Sequence, residues 1–157
     1  MKNNGKVVVP RTSCSFNHQD FIIILNWLVL QADYILGNNP KSISYLVGYG
    51  PNYPTHVHHR GASITSIHTL HSVVECVQGF EAWYYNPQGN PNVIYGALVG
   101  GPNQNDDFSD DRSNYEETEP TLSGNAPLIG LFAKLQSVQG IPGENPLEDH
   151  IYLFLYK

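Results

Sequence analysis

Within residues 105–126, NDDFSDDRSNYEETEPTLSGNA, the chain gathers seven of its 14 acidic residues, with Phe108, Arg112 and Tyr115 interleaved among them. Like charges packed this closely repel one another unless solvent, a cation or a chemical task offsets the cost. Three uses fit such a stretch. The first is a solvated, charged loop. The second is a calcium site, because Asn105, Asp107, Ser109 and Glu116 fall at EF-hand-like offsets; Asp110, however, stands where such a loop needs the glycine of its sharp turn. The third is the acid of a glycosidase, for which Glu119 is the candidate. Neighbouring carboxylates would favour its protonated form, and protonating a glycosidic oxygen requires a neutral carboxylic acid.

A second cluster is His56-Val57-His58-His59-Arg60, the densest group of imidazoles in the chain. His56 and His58 are spaced like metal ligands on a strand, which admits a zinc or copper site, but no Cys or carboxylate lies close by in sequence to complete it. A histidine satisfied within the structure is the plainer reading. In a third, His58 and Arg60 line a polar cleft and donate hydrogen bonds to sugar hydroxyls.

The elements that must position these groups are helices joined by long loops. The run FIIILNWLVLQADYIL reads as a helix over residues 21–36, capped by Asn17 and stopped at Gly37. Apolar residues occur nearly all round it, which predicts burial on most sides. Residues 38–60 are rich in Pro, Gly and Asn and read as loop despite the apolar patch at 45–47. Residues 64–77 read as a loop or a weak helix. The aromatic segment 79–85 ends in the turn NPQGNPN, and residues 93–99 read as short extended or helical structure before Gly100-Gly101-Pro102. Asn125 or Ser123 is expected to cap a helix through APLIGLFAKLQ. Residues 1–17 lack hydrophobic periodicity and are expected to be poorly ordered, and the segment after Gly140 opens with turn residues. Loops this long in a compact domain usually carry function.

Composition narrows the classes. A chain of 157 residues with 41% hydrophobic and 14% charged residues is about one domain. A net charge of −6 argues against a nucleic-acid partner, which needs clustered Lys and Arg. Ten Tyr and two Trp among 14 Gly and 11 Pro suit loops that stack on sugar rings or bases. Cys14 and Cys76 allow at most one bridge and imply no disulfide framework. Asn26, Gln31 and Asp33 interrupt the most apolar segment, so no membrane span is expected, and residues 1–14 contain no apolar core of a signal peptide.

The run DYILGNNPKSISYLVGYGPNYPTHVHHRGASI resembles the first signature region of the family 9 glycoside hydrolases, the plant endo-β-1,4-glucanases in particular. Ser44, Leu46, Val47, Gly50, Asn52, Val57, His58 and Arg60 each fit its spaced pattern. The second signature is matched by Phe108, Asp110, Tyr115, Glu119, Thr121, Asn125 and Ala126. Between them, VVECVQGFEAWYYNPQGNPNVIYGALVGGPNQND also resembles the plant members, so that the likeness covers roughly residues 31–139.

The resemblance implies an endo-β-1,4-glucanase that hydrolyses cellulose and related β-1,4-glucans with inversion. In it Glu119 is the general acid, Asp110 an active-site carboxylate and His58 the active-site histidine. Arg60, Arg112, Tyr115 and Trp83 are the expected substrate-binding residues, with Arg112 and Tyr115 also positioning the active carboxyls. The implied fold is all-α, an incomplete (α/α)6 barrel of about four helices, with residues 1–20 a non-matching N-terminus, 21–139 the C-terminal part of the catalytic domain and 140–157 a divergent tail. The family's aspartate base belongs to an Asp-rich motif that nothing before Asp33 matches, so this chain by itself is expected to have little activity. No cofactor is implied, a structural calcium ion being left open, and the expected location is extracellular, in the cell wall. The rival reading is a carbohydrate-binding pseudoenzyme that keeps Trp83, Tyr84 and Tyr85 as a sugar platform.

Overall fold

The computed structural model describes residues 18–139. The expectations for residues 1–17 and for the tail from residue 140 lie outside it, as does Cys14 of the Cys14–Cys76 pair. Six helical segments follow one another: α1 (His18–Ile35), α2 (Arg60–Ser63), α3 (Cys76–Gln78), which runs directly into a π-helical turn at Gly79–Tyr84, α4 (Tyr115–Thr118) and α5 (Leu122–Gln139). Only α1 and α5 are long, at 18 residues each. The about four helices expected from sequence are therefore two long helices and several single turns. The described residues contain no strand, and one isolated antiparallel bridge pairs Leu46 with Leu98.

Helix α1 ends as its sequence predicts. Gly37 takes a φ of +120°, its N–H bonds to the Tyr34 carbonyl at 3.3 Å, and the Asn38 N–H reaches the Asp33 carbonyl at 2.9 Å. This is the paired closure of a Schellman motif, which satisfies carbonyls the helix end would otherwise leave open. Burial of α1 differs from the expectation. Leu25, Val29, Ala32 and Leu36, at i, i+4, i+7 and i+11, form one buried face, whereas Ile23, Trp27 and Leu30 are 65%, 58% and 61% exposed. An apolar surface on both sides of a helix reads as all-round burial, but only one side meets a partner among the described residues.

The core lies beside α1, in the loops. Tyr45, Val47, Val57 and Val99 are buried together, with Tyr34, Ile43, Tyr53, Ile94 and Phe108 packed against them. Two short extended segments make the seam: the Val47 N–H donates to the Ala97 carbonyl at 2.9 Å and the Val99 N–H to the Tyr45 carbonyl at 3.1 Å. Asn39 organises the loop after α1, its amide donating to the carbonyls of Tyr34 and Ile43 at 2.8 and 2.7 Å.

Helix α5 begins one turn earlier than expected. Its cap is Thr121, whose hydroxyl accepts the Gly124 N–H at 3.0 Å. Asn125 instead ties α5 to the core seam, accepting the Leu98 N–H at 3.0 Å and donating to the Gly96 carbonyl at 2.7 Å. Pro127 sits inside α5 and forfeits one backbone bond there. Among the described residues no helix is long and apolar enough to cross a membrane.

Candidate active site

The two motif regions meet at one backbone bond, from the His58 N–H to the Thr118 carbonyl, 3.1 Å long. Thr118 is fully buried, and its hydroxyl donates toward the carbonyls of Asn114 and Asp111, at 2.8 and 3.1 Å. The short helix α4 is thereby pinned from inside. On its other flank a Cβ on Gly100 would stand 2.0 Å from the Glu116 carbonyl oxygen, so only glycine lets the two backbones approach. Gly101, at φ +88°, then donates its N–H to the Glu117 carbonyl at 3.0 Å. Glu119 follows as the C-cap of α4 in an extended conformation, as the residue before a proline must. Its side chain is exposed, and no described residue hydrogen-bonds its carboxyl.

His58 is held on three sides. Its Nδ1 lies 2.5 Å from the backbone carbonyl oxygen of Arg112, and its ring meets Tyr84 and Tyr115 edge-on, with centroids 5.9 and 6.0 Å away. The Tyr84 hydroxyl donates to the same Arg112 carbonyl at 3.2 Å. Arg112 itself is 4% exposed. Its guanidinium donates to the Asn90 side-chain oxygen at 2.5 Å, to the Tyr84 carbonyl at 3.3 Å, and to the carbonyls of Asn86 and Gln88. The loop 84–90 is thus wrapped around one buried cation. Arg60, by contrast, is exposed and makes one long contact, 3.5 Å, to the Val74 carbonyl. His58, Arg60, Phe80, Tyr84 and Arg112 line a cavity of about 200 Å³.

Asp110 is brought to the first motif but is spent there. It accepts the backbone N–H groups of Thr55 and His56 at 2.8 and 2.9 Å, the Thr55 hydroxyl at 2.9 Å and His56 Nδ1 at 3.1 Å. Burial alone pushes its carboxyl up, but these hydrogen bonds outweigh it and hold the group below the usual aspartate range. A folded pKa below the unfolded one means stability that is present above the ordinary aspartate range and lost as pH falls through the folded value. Asp110→Asn is therefore expected to lower the urea midpoint at neutral pH and to flatten its decline on acidification below about pH 4. An identical acid limb in the two proteins would count against this role.

The remaining carboxylates disperse rather than crowd. Asp106 accepts the Tyr34 hydroxyl, Asp107 the Lys41 ammonium at 2.8 Å, Asp111 the Ser113 hydroxyl at 2.8 Å and Glu117 the Ser109 N–H at 2.6 Å. The mutual repulsion expected around Glu119 is replaced by separate pairings. Among the described residues no group of three or more His, Cys, Asp or Glu is placed to hold a metal ion. His56 faces Asp110 and, through Nε2, the Pro87 carbonyl at 3.1 Å, so the ligand spacing of His56 and His58 serves internal bonds. Trp83 is half-buried, with its indole N–H out of solvent, while Phe80, Tyr85 and Tyr115 are 51%, 71% and 56% exposed.

Sequence reasoning missed the structural roles of Thr118, Asn90 and Tyr84. Thr118 and Asn90 carry no signal of their own, because a Thr in a short turn and an Asn in NPQGNPN look like ordinary loop residues. Tyr84 was legible only as one of three adjacent aromatics.

The profile described as "Glycosyl hydrolase family 9" matches residues 12–132. Endoglucanase 5 of Arabidopsis thaliana is 67% identical over 112 residues, which are 71% of this chain and 18% of that protein. Endoglucanase 13 of Oryza sativa subsp. indica is 59% identical over 105 residues, 67% of this chain and 17% of the relative. The chain thus spans less than a fifth of the length of these relatives. Among solved structures, the cellulase Cel9M of C. cellulolyticum aligns with a TM-score of 0.61 at 36% identity, over 78% of this chain and 25% of that one. Endoglucanase CelQ from Clostridium thermocellum, complexed with cellobiose and cellotriose, aligns with a TM-score of 0.64 at 29% identity, over 84% and 20% of the two chains.

Proposed function

The chain belongs to glycosyl hydrolase family 9, and on that footing we propose that it forms the acid-bearing part of an endo-β-1,4-glucanase catalytic domain, cleaving internal bonds of cellulose with inversion. The observation that supports this reading is the His58–Thr118 backbone bond, which ties the histidine of one motif to the residue just before the glutamate of the other. Glu119, exposed at the end of a pinned turn, protonates the departing glycosidic oxygen. A water on the opposite face of the sugar, activated by a second carboxylate, attacks the anomeric carbon; inverting pairs stand roughly 6.5–9.5 Å apart to admit it.

Asp110 is not that second carboxylate, since the hydrogen bonds from Thr55 and His56 fix it in place and weaken it as a base. It acts instead as a positioning group for the motif that carries His58. The base comes from an aspartate motif that this sequence does not match. Arg60 and Tyr115, both exposed, contact the glucan directly. Arg112, with its guanidinium committed to the loop 84–90, shapes the wall of the site, and the half-buried Trp83 stands just before Tyr84 in the adjoining aromatic segment.

The apolar outer side of α1 supports placing residues 21–139 in the C-terminal part of an (α/α)6 barrel, where further helices cover that surface. Cellulose as the substrate implies a site of action in the cell wall.

The test is a chimera in which residues 12–132 replace the matching segment of the Arabidopsis relative. Proton NMR of cello-oligosaccharide hydrolysis should show the α-anomer released first. Initial release of the β-anomer would overturn the inverting assignment. Binding without any release of reducing ends would favour the carbohydrate-binding reading. The 157-residue chain alone is expected to turn over soluble cellulose far more slowly than the chimera.

A further inference from the structure

We infer that Tyr84 is a positioning residue which, through the Arg112 carbonyl, holds His58 as a hydrogen-bond acceptor toward the cavity, so that the site takes neutral hydroxyl ligands in preference to anions. The inference rests on the glucanase reading for the identity of the ligand, but not for the state of the histidine.

The argument starts from one oxygen. A backbone carbonyl only accepts, so the 2.5 Å contact between His58 Nδ1 and the Arg112 oxygen places the ring proton on Nδ1. In the neutral imidazole Nε2 then carries a lone pair and no proton. No described residue bonds Nε2, and His58 lines the cavity of about 200 Å³. The sequence-based expectation that His58 donates to sugar hydroxyls is thereby reversed.

The carbonyl is itself held by a reciprocal pair of bonds. The Tyr84 hydroxyl donates to the Arg112 carbonyl at 3.2 Å, and the Arg112 guanidinium donates to the Tyr84 carbonyl at 3.3 Å. Each residue thus fixes the backbone of the other, and the second lone pair of the Arg112 oxygen faces His58. The edge-on contact of the Tyr84 and His58 rings, at an interplanar angle of 88°, holds the imidazole plane. Tyr115, on another side of His58, adds a second ring contact at 62°.

The consequence is chemical selectivity. Arg60, exposed and lining the same cavity, only donates, whereas His58 Nε2 only accepts. A sugar hydroxyl does both, so neighbouring hydroxyls satisfy the pair by offering an oxygen to Arg60 and a hydrogen to His58. A carboxylate or phosphate satisfies Arg60 but sets its lone pairs against that of Nε2. The arrangement fits neutral glucans better than acidic polysaccharides.

The test is nitrogen NMR on the ¹⁵N-labelled 157-residue chain, at a pH where the ring is neutral. Long-range ¹H–¹⁵N spectra should show His58 Nδ1 as the protonated, pyrrole-type nitrogen and Nε2 as the unprotonated one. The Tyr84 hydroxyl and His58 Nδ1 protons point at one oxygen, so a cross-relaxation peak between them is expected in the wild-type chain. In Tyr84→Phe the Arg112 carbonyl loses the donor that positions it, and the ratio should move toward the Nε2–H form by up to about fivefold, the worth of the one neutral hydrogen bond by which the tautomers differ. An Nε2–H or evenly mixed tautomer in the wild type overturns the inference. Unchanged His58 shifts in Tyr84→Phe reduce Tyr84 to a packing residue and overturn its part; should that variant not fold, the presence or absence of the wild-type cross-peak decides. Absence of glucan hydrolysis by the chimera would remove the glucanase reading while leaving the His58 spectrum as found.

Discussion

Glu119→Gln in the chimera should lower the rate of cello-oligosaccharide hydrolysis roughly 10²–10⁴-fold, the usual worth of a positioned general acid. Glutamine matches glutamate in size but cannot release a proton to the departing oxygen. The loss is expected to appear in kcat, with oligosaccharide affinity little changed. Two features of the structure support that split. The Glu119 side chain is exposed and no described residue hydrogen-bonds its carboxyl, so the substitution removes no internal contact. The turn that presents it is held by the backbone bonds around Thr118 and by the close approach of Gly100, neither of which involves the Glu119 side chain. An aryl cellobioside whose leaving group departs without protonation should recover much of the lost rate. Turnover of unactivated oligosaccharide within tenfold of the parent would remove Glu119 from the acid role.

Arg112→Ala is expected to cost about 2–4 kcal/mol of stability, because it strips a charged donor from several buried acceptors at once. This is a large share of the roughly 5–15 kcal/mol that holds a domain together. The guanidinium serves the carbonyls of Tyr84, Asn86 and Gln88 and the side-chain oxygen of Asn90. Truncation leaves these acceptors facing a void, at about 1–3 kcal/mol for each one that water cannot reach. Lysine should rescue poorly, because a single ammonium does not reproduce the planar fork that reaches four acceptors at once. Hydrogen exchange in the loop 84–90 should rise before global unfolding, and the urea midpoint should fall. Arg60→Ala, at an exposed position with one long contact, provides the comparison and should shift the midpoint little. A stability loss for Arg112→Ala as small as that of Arg60→Ala would show the network to be dispensable.

These two residues also mark how far local reasoning reaches. Glu119 falls within the second spaced motif, whereas Arg112 stood out only as a cation interleaved among the carboxylates. Glu119 reads as an acid in sequence and stands exposed at the end of α4, in keeping with that part. Arg112 reads as a substrate ligand, yet it is buried and committed to backbone carbonyls 24–28 positions earlier in the chain. Nothing in the local pattern around Arg112 distinguishes the two outcomes, because a cation beside carboxylates pairs with them in any local reading. In the fold, Asp110 turns to Thr55 and His56, Asp106 to Tyr34 and Asp107 to Lys41. The cluster of like charge that drew attention in the sequence is thereby broken into separate pairs.

What the amino-acid sequence determined by itself is what depends on near neighbours. Helix α1 and its stop at Gly37, the extended Glu119 ahead of Pro120 and the loop character of most of residues 38–60 follow from propensity and short-range sterics, and the two spaced motifs are read by their resemblance to a family. What only the tertiary structure decided is which distant groups face each other. The Asp110–His56 and His58–Arg112 bonds each span 54 residues, and the Tyr34–Asp106 bond spans 72. Loop closure over such lengths adds little free energy per residue, so many pairings are nearly equivalent until the core of Tyr45, Val47, Val57 and Val99 selects one. That selection gives His58 its proton on Nδ1, and it leaves Glu119 exposed at the end of α4 with no described residue hydrogen-bonded to its carboxyl.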